Sequence, residues 1–261
     1  MNDSATNTIF LLAPLFFGVS FVYSSVGFGG GSSYIAILVL AGISLFMVPP
    51  ISLILNIVAS SMALVNYARA GYLSLSLSAP FLSSVPFAFA SALIVLTQKE
   101  LALIFVLTMY AASAALLISG TLIKRQREKV MKLNVSRMKL VVVGVPTGSA
   151  LGVLAGVVGI GGGIWLSPLL ILTGLADPKK AAATASLFIL ANSISGFAGH
   201  SIGKPVDLSL VIPLALVVLA GGLIGSRFGA FKFDHDRIRI IVGALVAVAA
   251  TLLLLNQLLK A

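Results

Sequence analysis

The chain has 261 residues, of which 59% are hydrophobic and only 9% charged, and its mean hydropathy is +1.13. Soluble domains carry roughly 25% charged residues, so this composition excludes them and indicates a helical protein that crosses a membrane several times. The net charge of +10 invites a nucleic-acid partner, but the placement of the cations, described next, argues against one.

The apolar segments follow one another in two groups of five. They fall at about 8–26, 31–47, 51–68, 73–97 and 101–119, and then at 138–158, 163–176, 181–199, 208–228 and 238–258. Between the groups, seven cations and one acid lie from Lys124 to Lys139. Such a basic loop is the usual cytoplasmic anchor of a multi-pass protein, and the alternative is a site for anionic lipid or for regulation. We therefore expect a lipid bilayer around the chain and no nucleic acid.

The distribution of cations also predicts the orientation of the chain. With ten crossings and the N-terminus outside, all but three of the 17 cations fall inside, Arg239 among them; the outer three are Lys99, Lys204 and Lys260. This bias predicts that the N-terminus lies outside and that the central basic loop is cytoplasmic.

A glycine-rich motif occurs once in each group. Residues 27–31 read GFGGG and residues 159–163 read GIGGG, and the offset of 132 residues continues downstream through the pairs Leu38/Leu170, Gly42/Gly174 and Gly71/Gly203. The sequence thus predicts an all-α fold of two transmembrane repeats, residues 1–119 and 138–261, joined by the basic linker 120–137. Five segments is an odd number, so the second repeat enters from the opposite face and the repeats are expected to be inverted.

The segments that follow the glycines are short for a membrane span, which takes about 17–25 residues. Residues 8–26 and 31–47 form either two full spans or a hairpin whose tip stops inside the bilayer, and 138–158 and 163–176 pose the same choice. We expect at least partly re-entrant or broken helices, because glycine-rich backbone at membrane depth is tolerated only where it lines a cavity or is buried in protein.

No catalytic pattern is present in the apolar segments. All seven acids fall in predicted loops or tails, and no paired carboxylates, zinc motif or catalytic triad reaches membrane depth. We therefore expect neither an enzyme nor a cofactor or metal site.

The polar residues at membrane depth are small and neutral. A helix that restarts after a glycine break offers unpaired N–H groups and the positive end of its dipole, and it can bind an anion without a buried cation. We expect two such ends to meet at one site, although packing of small residues between helices is the alternative. The candidate substrate-binding residues are Gly29, Gly30, Gly31, Ser32, Ser33, Asn56, Ser60, Gly161, Gly162, Gly163, Trp165, Thr184, Ser186, Asn192 and Arg69.

Three of these assignments carry their own alternatives or conditions. Trp165 either closes over the substrate or anchors its segment at the membrane surface. Arg69 either attracts the substrate or anchors the topology. At the offset of 132, Ser60 falls on Asn192 and Ser61 on Ser193, so the two polar faces are expected to be symmetry mates.

The run GIGGGIWLSPLLILTGLADPKKAAATASLF at 159–188 resembles the second-repeat motif of the TauE/SafE sulfite exporter family. Its most specific features are GxGGG, Pro168 and the stretch from Lys180 to Ser186. The first copy departs from it, with Ala36 in the place of Pro168. The resemblance implies a transporter that moves sulfite, sulfoacetate or related sulfur anions across a bacterial inner membrane.

Export of an anion needs no further energy source, because moving one negative charge out through an inside-negative membrane yields about 2.3 kcal/mol per 100 mV. No phosphate-binding P-loop is present for ATP. We expect a secondary transporter driven by the membrane potential. The alternatives are a structural or assembly protein without transport and a permease for a metal or another cation; the oligomeric state stays open, a homo-oligomer included.

Overall fold

The computed structural model describes residues 3–130, 137–202 and 206–259. Lys132 of the basic linker, the predicted outer cations Lys204 and Lys260, and Gly203 of the repeat comparison lie outside the described residues.

The fold is helical throughout the described residues, and each of the ten predicted apolar segments corresponds to helix. The helices are α1 (Asp3–Ser24), α2 (Gly31–Leu40), α3 (Val48–Arg69), α4 (Leu75–Ser78), α5 (Ser84–Ala92), α6 (Gln98–Val130), α7 (Arg137–Val158), α8 (Gly163–Leu172), α9 (Pro178–His200), α10 (Leu208–Phe231) and α11 (His235–Leu259). A short 3-10 turn, Ala79–Ser83, joins α4 to α5, so that Leu75–Ala92 acts as one span. The predicted all-α membrane fold is confirmed.

Seven helices among the described residues are long and apolar enough to cross a membrane. The helices after the glycine motifs are not, because α2 and α8 have 10 residues each and so measure about 15 Å, half the thickness of the hydrocarbon layer. The predicted broken helices at the centre of each repeat are therefore confirmed. Helix α6 runs on to Val130 and so continues into the segment predicted as the linker.

Local signals explain where the long central helices begin. Pro49 and Pro50 occupy the first turn of α3 and Pro178 the first turn of α9, where a missing N–H group is harmless. The Asp177 carboxylate caps α9 by accepting hydrogen bonds from the N–H groups of Lys179 and Lys180.

The pattern of helix packing stays the same when the two halves are exchanged. Helix α1 packs on α10 as α7 packs on α5, α3 on α10 as α9 on α5, and α2 on α11 as α8 on α6. Helices α3 and α9 pack on each other, and so do α6 and α11. The two halves thus share one pattern of packing partners.

The central pair α3 and α9 runs antiparallel. Leu53 near the start of α3 lies beside Gly196 near the end of α9, whereas Tyr67 near the end of α3 shares a buried cluster with Ala182 near the start of α9. A twofold operation that exchanges two antiparallel neighbours has its axis across them, which supports an inverted repeat.

Small residues let the two halves approach closely. On α10, glycines recur every four residues and face the backbone carbonyls of α1: Gly221 meets Phe17 O, Gly225 meets Phe21 O and Gly229 meets Ser25 O. This is the small-xxx-small packing of helices in membranes. On α7, glycines with the same spacing face α5 and the 3-10 turn before it: Gly144, Gly148, Gly152 and Gly156.

We predict that Gly225→Ala destabilises the protein by about 1–3 kcal/mol, because the added methyl group meets the α1 backbone and must push the helices apart. Gly18→Ala is the matched control: this α1 glycine has no other atom within 4 Å of an added Cβ. The readout is the temperature at which detergent-purified protein loses its monodisperse gel-filtration peak. Equal melting of the two variants would contradict the close packing of α1 on α10.

Candidate functional site

Each glycine motif breaks the chain between two helices in the same way. In the first half α1 ends at Ser24 and α2 begins after Gly30, which has φ 95°. In the second half α7 ends at Val158 and α8 begins after Gly162, which has φ 77°. Residues with a side chain rarely adopt these angles, so glycine is what permits both breaks.

Each break packs against the long central helix of the other half. Gly27 lies against the backbone of Ala182, close to the start of α9. Gly159 lies against Pro49, close to the start of α3, where an added Cβ would be 2.6 Å from Pro49 Cβ. The two hairpins therefore pass each other in the interior of the protein.

Asn56 of α3 lies where the two breaks meet. A Cβ at Gly29 or at Gly31 would collide with its carboxamide, and a Cβ at Gly161 of the other break would lie 3.4 Å from its Nδ2. Asn56 is fully buried, and neither carboxamide atom has a hydrogen-bond partner among the described residues. Buried polar atoms are normally paired, so this amide calls for an explanation.

Two further unpaired polar atoms lie beside the breaks. Added Cβ atoms would be 2.8 Å from Tyr34 Oη at Gly30 and 2.8 Å from Ser193 Oγ at Gly161. Both oxygens are buried and lack a partner in the described part of the chain. The backbone adds donors, because no backbone acceptor within the described residues receives the first-turn N–H groups of α2 (Gly31 and Ser32) or of α8 (Gly163 and Ile164).

The two breaks line one small cavity of about 10 Å³. Its walls come from both halves: Tyr23, Phe28, Gly29, Gly30, Gly31, Ser32, Ile160, Ile164 and Ile189. This volume holds about one water molecule, so no sulfur oxyanion fits without movement of the walls. The conformation is closed around its candidate site.

The serines after the first break are tied to a residue that the sequence analysis missed. Tyr23 Oη lies 2.7 Å from Ser33 Oγ and accepts a 3.4 Å hydrogen bond from Ser32 Oγ. Ser52 Oγ of α3 donates to Gly31 O at 3.2 Å. No sequence signal distinguishes Tyr23 from a core aromatic, because it lies inside the predicted apolar segment 8–26.

The sequence predicts that the polar faces of the two halves are symmetry mates, but the structure shows that they are not. The carboxamide of Asn56 faces Gly31, and the side chain of Ile189 faces the equivalent Gly163. The central helices thus correspond at an offset of 133, as the contacts of Pro49 and Ala182 with the two breaks also require. One extra residue between Gly174 and Ala182, relative to the stretch from Gly42 to Pro49, accounts for the change.

The predicted equivalence of Ser60 with Asn192 and of Ser61 with Ser193 is therefore wrong. Ser60 corresponds to Ser193, and Asn192 corresponds to Ala59. The position of the unpaired Asn56 amide, at the junction of the two breaks, is occupied by Ile189 in the other half. The polar groups of the site are therefore asymmetric.

The remaining candidates are placed around the junction or away from it. Trp165 is half-buried and donates from Nε1 to Thr108 O at 3.1 Å, so it braces α8 against α6. Asn192 donates to Phe188 O and Ser60 donates to Asn56 O. Closer to the start of α9, Thr184 accepts from Ser78 Oγ at 3.2 Å and Ser186 donates to Ala183 O.

Arg69 is not brought to the breaks. It is exposed in the last turn of α3, 13 residues after Asn56 and so about 20 Å away along the helix. Its position suits the topology anchor better than a place in the site.

The sequence matches the family described as "Sulfite exporter TauE/SafE" over residues 12–253. It is 24% identical to a "Probable membrane transporter protein y4hK" of Sinorhizobium fredii, over 93% of this chain and 97% of that protein. It is 34% identical to the "Probable membrane transporter protein YunE" of Bacillus subtilis, over 34% of this chain and 31% of that one. No solved structure shows a significant match to the chain.

We predict that Asn56→Leu stabilises the folded protein by about 1 kcal/mol, because it replaces an unpaired buried amide with an apolar side chain of similar size. The matched reverse change, Ile189→Asn, puts an amide at the equivalent position and should cost about 1–3 kcal/mol. Thermal unfolding in detergent measures both. If Asn56→Leu destabilised the protein as much as Ile189→Asn, the amide would be a structural hydrogen-bonding group.

Proposed function

Since the chain belongs to the TauE/SafE sulfite exporter family and is a multi-pass membrane transporter, we propose that it exports sulfite or a small organosulfonate such as sulfoacetate. The proposed setting is the bacterial inner membrane, with the N-terminus outside and the basic linker in the cytoplasm. The family name and the names of the relatives support transport, and the chemistry of the junction supports an anion.

The observation that carries the proposal is the convergence of unpaired polar groups on the junction of the breaks. The first-turn N–H groups of α2 and α8 and the Nδ2 group of Asn56 are hydrogen-bond donors, and both helices add the positive ends of their dipoles. Sulfite and sulfonate oxygens accept such hydrogen bonds, so these donors suit an anion without a buried carboxylate or lysine beside it.

The binding residues proposed on this basis are those whose atoms reach the junction. They are Gly29 to Ser32 of the first break, Gly161 to Gly163 of the second, and Asn56, with Tyr34 and Ser193 beside them. Tyr34 and Ser193 contribute hydroxyl groups that are donors as well as acceptors.

The exchangeable packing of the two halves supports alternating access. We take residues 1–119 and 138–261 as inverted repeats, with 120–137 as the linker. In such transporters the site lies at the repeat interface, and rocking of one half against the other opens it to each side in turn. The 10 Å³ cavity then belongs to a closed intermediate, and opening requires the hairpins to move against α3 and α9.

An assembly protein without transport accounts less well for the same features. Tight packing explains the glycines that face Ala182 and Pro49, but it gives no reason for a buried amide without a partner at membrane depth. Each unsatisfied polar group there is costly, and proteins retain such groups where they meet a ligand or a water-filled path.

We predict that liposomes containing the purified protein move sulfite down the membrane potential. A potassium diffusion potential should shift the equilibrium distribution of sulfite about 50-fold per 100 mV for each charge moved. Between two alkaline pH values, at which sulfite is the dianion on both sides, a pH gradient without a potential should drive no accumulation. Sulfite accumulation that follows the pH gradient and ignores the potential would contradict the uniport mechanism.

In the same assay we predict that Asn56→Leu lowers sulfite flux at least tenfold while the protein keeps its gel-filtration profile, because the anion loses a donor at the junction. Lys99→Gln, at an exposed cation at the start of α6, is the control and should keep wild-type flux. Wild-type flux in a folded Asn56→Leu protein would remove Asn56 from the pathway.

A further inference from the structure

Arg239 is a fully buried cation inside a candidate membrane span. It lies in α11, within the span Arg237–Leu258, and it is the largest of the fully buried side chains in the described part of the chain. The sequence analysis counted it among the loop cations, and the structure corrects that assignment. Ionisable residues at such positions in transporters usually mark a substrate or ion pathway.

The guanidinium of Arg239 links the middle of α8, the helix that follows the second break, to the first residue of α9. Its Nη2 donates to Ser167 Oγ of α8 at 3.0 Å and to Pro178 O of α9 at 3.1 Å. Both of these acceptors are neutral. Ser167 lies four residues after Gly163, on the same face of α8 and about 6 Å further along the helix axis. The positive charge is therefore about one helical turn from the proposed anion site.

Arg239 lies on one side of the proposed anion site only. Helix α8 runs from the break towards the start of α9, and Arg239 lies near the start of α11. The cation distribution assigns both of these helix starts to the cytoplasmic face. An anion that enters from the cytoplasm towards the second break thus approaches α8 from the side on which Arg239 contacts Ser167.

The first half shows that the fold does not require a charged side chain at the position equivalent to Arg239. Helices α6 and α11 bury the same positions at an offset of 137: Phe105 with Val242, Met109 with Val246, Ala112 with Ala249 and Leu116 with Leu253. At that offset Arg239 corresponds to the buried Ala102, and at the offset of the breaks Ser167 corresponds to the buried Ile35. The outer side of the site is apolar where the cytoplasmic side is cationic.

We propose that Arg239 coordinates the substrate oxyanion on the cytoplasmic side of the pathway and so makes substrate capture tighter from that face. In the closed conformation Nη2 of Arg239 donates to Ser167 and Pro178. When the cytoplasmic side opens, an oxyanion takes their place, because the planar fork of arginine binds two oxygens of one anion and charge-assisted hydrogen bonds are the stronger ones. This inference rests on the proposed function, since it presumes an anionic substrate.

The test measures sulfite KM from each face, in inside-out and right-side-out proteoliposomes. Arg239→Gln should raise the KM from the cytoplasmic face at least tenfold and leave the KM from the outer face within twofold, and Arg239→Lys should fall between wild type and Arg239→Gln. Arg237→Gln is the matched control: it removes an exposed cation two residues earlier on α11 and should leave both KM values within twofold.

Ser167→Ala gives a second test of opposite sign that does not depend on the folding of the Arg239 variants. Removing the hydroxyl that competes for the guanidinium should lower the cytoplasmic KM two- to fivefold. An unchanged or raised cytoplasmic KM in Ser167→Ala overturns the inference, and so does an equal loss of kcat from both faces in Arg239→Gln with unchanged KM values. The latter result would give Arg239 only the role of holding α8 and α9 together.

The two proposals fail in different ways. If the wild-type protein moves and binds no sulfite, the proposed function fails and this inference fails with it. If wild-type flux follows the membrane potential but neither KM responds to Arg239 or Ser167, only the role of Arg239 is overturned.

Discussion

The structure depends on one constraint: backbone that leaves a helix inside the bilayer must be enclosed by protein. Both breaks satisfy this constraint by packing on the opposite half: Gly27 lies against Ala182, and Gly159 lies against Pro49. These contacts leave no space for a side chain, so glycine is required at the tips, and each break is enclosed in part by the other half. The site is therefore a product of the interface between the halves, and Asn56 touches both breaks for the same reason.

The frame is symmetric, whereas the chemistry placed on it is not. Packing partners exchange between the halves, but Asn56 has Ile189 as its counterpart and Arg239 has Ala102. A symmetric frame lets the protein open to either face by equivalent movements. Under the proposed function, the asymmetric side chains give the two open forms different affinities for the anion, which a transporter with a preferred direction of capture needs. Packing alone could be satisfied by the apolar member of each pair, so the polar member is better explained by a ligand.

Much of the fold could be predicted from the sequence because its signals are local. A long apolar run is a membrane helix, and a glycine cluster within it is a break, whatever the rest of the chain does. The register of the halves could not be predicted, because one extra residue between Gly174 and Ala182 changes which side chains correspond and leaves every apolar run intact. Arg239 was misassigned for a similar reason: a cation near the end of an apolar run is normally a loop anchor, and only the packing of α8 and α9 against α11 shows that it is buried. Tyr23 and Trp165 likewise acquire their roles from partners distant in sequence.

The closed cavity and the unpaired polar atoms around it belong to the same argument. With room for about one water, the cavity cannot hydrate the first-turn N–H groups of α2 and α8 together. The buried Asn56 amide and Ser193 hydroxyl also lack partners among the described residues. Each buried group left unsatisfied costs about 1–3 kcal/mol, so the empty closed form carries a penalty that a bound anion would relieve. Only interactions that differ between two states can shift the equilibrium between them. These polar groups lack hydrogen-bond partners in the empty junction and would gain them in the loaded one. Under the proposed function, these unpaired polar atoms are the means by which substrate changes the stability of the closed form.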